Sequence, residues 1–139
     1  MFLNFLFILV IWCSNSGDSL RLPIKNGRII QTRSNADKFT KSILISPTDD
    51  FHIRSCINGK IFAIKVEEWG YDVAVNSDSV LIIYSGFDSL NAVDVKIGNN
   101  IKQSDVIGWK KSVGNEEYII LTVFINGHEV DPKKYLIWN

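Results

Sequence analysis

No window of a dozen residues in this chain keeps the 3.6-residue apolar period of an amphipathic helix. It shows instead a succession of short runs rich in Val, Ile, Tyr and Phe, each cut by Gly, Asn, Asp or Ser. The runs cover 28–31, 42–45, 60–66, 71–75, 79–84 and 118–125. β-Branched and aromatic side chains suit a pleated, half-buried surface, so the pattern predicts an all-β domain, a sandwich or barrel. Asn58-Gly59 and Asn126-Gly127 have the residue types that accept the positive φ of tight hairpins, and they predict turns. The runs at 80–83 and 119–121 are apolar on both parities, which predicts strands covered on both faces.

The first charged side chain is Asp18, and an almost unbroken apolar run fills 2–12 before it. That run has the length of a signal-peptide core and falls short of the roughly 20 residues of a membrane span. Ser14 and Ser16 supply small residues for cleavage, so 1–16 is expected to be a signal segment and 17–139 one domain. Membrane attachment would then come only from an uncleaved leader or from lipidated Cys13, which Trp12 precedes in place of the usual small residue. Cys56 is the only cysteine after the leader, so no internal disulfide is expected. Export without disulfides points to a bacterial periplasm or cell envelope.

Lys plus Arg and Asp plus Glu both number 15, and the charges are scattered singly. No basic field is present to collect nucleic acid or anionic lipid, and nucleic acid is not an expected partner.

The segment 95–109 sets an apolar residue, a glycine turn at Gly98, a short strand, a polar turn and a second short strand in fixed order. It resembles the V-x-x-G-D-x-V-x-x-G-x-x-I-G segment of barrel-sandwich hybrid-motif domains, with Asn99 for the usual acid and Ser104 for the second glycine. Asn126-Gly127-His128-Glu129-Val130-Asp131-Pro132, followed by Tyr135-Leu136, is similar to the NG-x-x-VDP-x-x-YL ending of the LytM/lysostaphin-type zinc peptidoglycan endopeptidases. Leu22-Pro23 with Gly27 and Ile29 resembles that family's opening LP-x-x-G-x-I, and Asn58-Gly59-Lys60 its DGK turn. The resemblance is colinear from about residue 21 to 137.

In that family zinc is held by the His and Asp of an H-x-G-x-D strand and by one His of a later H-x-H. A catalytic zinc needs three protein ligands and one open position for the water it activates. Here Thr40-Lys41-Ser42-Ile43-Leu44 stands where the first motif belongs, and Ile120-Leu121-Thr122 or the register one residue later stands at the second. The resemblance therefore implies a degenerate member with Thr40, Leu44 and Thr122 at ligand positions, no metal or other cofactor, and no catalytic residues. His52, preceded by Asp49 and Asp50, and His128 are expected to be edge and turn residues, and Cys56 a packed thiol. The aromatics Trp69, Tyr71 and Tyr84 are the candidates for lining a remaining groove. The function implied is a non-catalytic envelope module that binds peptidoglycan or regulates a cell-wall hydrolase. The alternatives are an active zinc endopeptidase with relocated ligands and a structural subunit of an envelope assembly.

Overall fold

The computed structural model describes residues 20–32, 41–48, 51–68, 70–110 and 118–137. Their elements are β1 (Leu20–Arg21), β2 (Arg28–Thr32), β3 (Ile43–Ser46), β4 (His52–Arg54), β5 (Gly59–Glu67) and β6 (Gly70–Asn76). The chain continues through β7 (Val80–Phe87), β8 (Asn100–Ile101), β9 (Val106–Trp109), β10 (Ile119–Ile125), β11 (His128–Val130) and β12 (Leu136–Ile137). The helical pieces among the described residues are two three-residue 3-10 turns, at Leu90–Ala92 and Pro132–Lys134. The all-β reading holds, and each of the six predicted runs is a strand.

One large sheet has the order β2-β3-β10-β7-β6-β5-β8, with β11 hairpinned onto β10. The pairings within it are antiparallel. Two small ribbons, parallel β1–β12 and antiparallel β4–β9, complete the fold. Strand alternation sends Ile43, Ile45, Val73, Val75, Ile82, Ile119, Leu121 and Val123 to one face of the large sheet. There they form a single core cluster with Leu20 of β1, Ile53 of β4, Ile107 of β9 and Leu136 of β12. The ribbons therefore cover that face, and the molecule is a β-sandwich.

The opposite, outer face is less closed than the doubly apolar runs predict. Leu44 is buried, but Leu81, Ile83, Ile120 and Phe124 are only half-buried. The two Asn-Gly pairs also diverge. Asn126 and Gly127 take φ of 51° and 80° and close the β10–β11 hairpin as expected. Asn58-Gly59 makes no such hairpin: Gly59 opens β5, and a Cβ there would lie 2.3 Å from the Asn76 carbonyl oxygen. Its glycine serves close backbone approach rather than a left-handed turn. Ser104, in the glycine place of the 95–109 segment, keeps the left-handed conformation with φ of 76°.

Candidate functional site

The outer face of the large sheet brings two of the implied ligand positions, Leu44 and Thr122, onto one surface. Antiparallel register sets Leu44 of β3 directly opposite Ile120 of β10. Ile120 in turn faces Ser85 of β7, and Ser85 faces Asp72 of β6. Along the next row, Ser42 and Thr122 join through their hydroxyls at 2.7 Å, both 1% exposed. Side chains opposite one another in a ladder have Cβ atoms about 5 Å apart, so these residues share one surface. Lys41 closes its edge, its backbone N–H donating to Glu129 Oε2 at 3.2 Å and its ammonium to the Glu129 carbonyl at 3.4 Å.

Zinc is bound through imidazole nitrogen, thiolate or carboxylate oxygen. Leu44 and Ile120 offer alkyl groups, and the Ser42 and Thr122 hydroxyls are neutral and committed to each other. The residues present do not fit the ion. Among the described residues, no group of three or more His, Cys, Asp and Glu converges on one point. Thr40 lies outside the described residues, as do Asp49 and Asp50. His52 and His128 are exposed, on β4 and β11, in different sheets.

The aromatic groove needs correction. Tyr84 is fully buried, and its hydroxyl accepts the Cys56 backbone N–H at 2.8 Å. It anchors the core and offers no surface to a ligand. Tyr71 shares the strand parity of Val73 and Val75 and packs, partly buried, against the same core cluster, so it too faces away from the outer surface. Trp69 lies outside the described residues. Cys56 is a packed thiol, as expected: it is wholly buried, and burial pushes its pKa up to about 12. Burial also pushes the Tyr84 phenol well above its ordinary value.

Two features were not anticipated. Lys110 is 6% exposed, with its ammonium donating to the Gly86 carbonyl at 2.6 Å and to Asp88 Oδ1 at 2.7 Å. The outer face also carries a pocket of about 500 Å³ at the β6–β7 and β10–β11 turns, floored by Phe62, Leu81 and Phe124.

The fold is that of the LytM-type peptidases. Its solved neighbours include Csd3 of Helicobacter pylori, with a TM-score of 0.68 and 20% identity over 87% of this chain. The catalytic domain of the prophage-encoded protein EnpA from Enterococcus faecalis gives a TM-score of 0.64 at 14% identity, covering 86% of this chain and 98% of that one. The antimicrobial peptidase lysostaphin of Staphylococcus simulans gives 0.61 at 14% identity, covering 78% of this chain and 48% of its own. The chain spans about a third of Csd3, 34% of its length. No protein-family model and no curated protein matches the sequence.

Proposed function

We propose that this chain is a catalytically inactive LytM-like module of a bacterial cell envelope, which binds peptidoglycan or regulates a cell-wall hydrolase. The observation that carries this reading is what stands at two of the implied ligand positions: Leu44, an alkyl group paired with Ile120, and Thr122, a neutral hydroxyl bonded to Ser42. An alkyl pair supplies no Lewis acid and lowers the pKa of no water, so the hydrolytic step of a zinc peptidase has nothing to start it. In this reading residues 1–16 are the export signal and 17–139 the module, located in the periplasm or on the envelope. Among the described residues, no helix is long and apolar enough to cross a membrane.

The test is metal analysis of the purified chain, joined to incubation with purified peptidoglycan. Substoichiometric zinc, intact wall material and co-sedimentation of the chain with it are expected. One tightly held zinc per chain, with release of wall peptides that a chelator abolishes, would overturn the reading in favour of relocated ligands.

A further inference from the structure

We infer that the pocket between the β6–β7 and β10–β11 turns is a glycan subsite that takes a neutral pyranose ring, with Phe62 as its stacking platform. This deepens the proposed peptidoglycan-binding role and rests on it.

On β5, Ile61 pairs with Val75 in the core, yet the next pairing is Ala63 with Ala74. The ladder slips by one residue, and Phe62 is the extra residue of a bulge. Such bulges bend a strand and re-aim a side chain, and they concentrate beside functional sites. Here the result is a phenylalanine 60% exposed in the interior of a nine-residue strand. Without the bulge, alternation would keep Ile61 and Ala63 on one face. With it, the core-packed residue after Ile61 is Ile64.

The pocket that Phe62 enters is both apolar and hydrogen-bonding. Leu81 and Phe124, opposite each other on β7 and β10, supply the rest of its floor. Asn76, Ser77, Asp78 and Asn126 supply amide, hydroxyl and carboxylate groups around it. The two turns that carry this rim are tied together. The Asn126 N–H donates to the Ser79 carbonyl at 2.8 Å, and the Ser77 N–H to the Val80 carbonyl at 2.9 Å. A preorganised rim spares the ligand part of the ordering cost.

The chemistry of the lining selects the ligand. A volume of about 500 Å³ lies in the range of small-molecule sites. Among the described residues Asp78 is the only charged one in the lining, and none of them supplies a cation to hold a phosphate or a carboxylate. A pyranose has an apolar C–H face for an aromatic ring and peripheral hydroxyls for amides and carboxylates. That matches a phenyl floor with an Asn, Ser and Asp rim. The pocket sits at the turn end of β10, whereas the Leu44–Ile120 pair lies toward the start of that strand. It is therefore a separate place on the same face.

The experiment titrates tetra-N-acetylchitotetraose into the full chain, followed by amide chemical shifts and calorimetry, beside co-sedimentation with purified peptidoglycan. Shifts at residues 76–81 and 124–127 are expected, with affinity falling at least tenfold in Phe62→Ala and measurably in Asp78→Ala. Both side chains are exposed, so both variants should melt close to the parent. Three results overturn the subsite. The first is shifts confined to the Leu44–Ile120 region. The second is peptidoglycan binding unchanged in Phe62→Ala, which leaves the wall-binding role standing. The third is a concentration-dependent dimer abolished by Phe62→Ala, which would assign the patch to a second copy of the chain. Failure of the parent chain to bind either glycan refutes the subsite and the wall-binding role together.

Discussion

Replacing Thr122 by Val removes one hydroxyl from a buried pair without changing side-chain volume. Ser42 Oγ then sits 1% exposed with its bonding partner gone. An orphaned buried hydroxyl costs its full desolvation, about 1–3 kcal/mol, whereas a satisfied pair contributes only about 1 kcal/mol net. Thr122→Val should therefore destabilise by about 2 kcal/mol, and Ser42→Ala by a similar amount for the reciprocal reason. The double variant removes both polar atoms and should cost no more than about 1 kcal/mol, well below the sum of the singles. Urea unfolding followed by circular dichroism reads this directly. With a slope of about 2 kcal/mol per molar, each single variant moves the midpoint down by about 1 M. Single variants that lose almost nothing, or a double variant that loses the sum, would refute the reasoning. Single variants that lose almost nothing would mean that water reaches both hydroxyls, and a double variant that loses the sum would mean that the two side chains act independently.

Alkaline pH should unfold the chain earlier than its charge balance suggests. The folded Cys56 pKa of about 12 lies above its ordinary 9.0, so the stabilising neutral thiol is fully present below pH 9. Its contribution is lost progressively between about pH 9 and 12, and burial of Tyr84 adds in the same direction. Thermal melts across that window should show the loss, and Cys56→Ala should flatten it. For the Lys110 pair, Asp88→Ala should cost about 2 kcal/mol by taking the carboxylate away from a buried ammonium that also donates to the Gly86 carbonyl. Lys110→Met should cost less, because Asp88 is 47% exposed and can rehydrate; equal losses in chemical denaturation would contradict this ordering.

The six longer runs were readable as strands because each is rich in β-branched and aromatic residues, and Asn126-Gly127 showed its hairpin because both residues carry positive φ. Asn58-Gly59 lies at a bend that leads into β5 and closes no hairpin, and its glycine serves where two backbones nearly touch, a demand set by Asn76 far along the chain. Leu44 and Ile120 were readable as non-ligands from their chemistry alone. Their pairing depended on register, which local composition does not encode. Tyr84 was misplaced because an aromatic on a strand gives no sign of which parity the core takes. The Phe62 bulge was hidden for a related reason, since one slipped residue alters no propensity.

The position of β10 also sets the order in which the molecule can assemble. It pairs with β3 on one side and β7 on the other, so the large sheet is split into two halves until 119–125 arrives. Before that, β3 and β7 each present an unsatisfied edge with apolar side chains, a template for mispairing between chains. Leu20 of β1 likewise waits for Leu136 of β12. Contacts so distant along the chain are slow to form, because loop-closure entropy must be overcome before they return any stability. The chain should consequently stay unfolded, and dependent on whatever shields its edges, until nearly all of it has been synthesised.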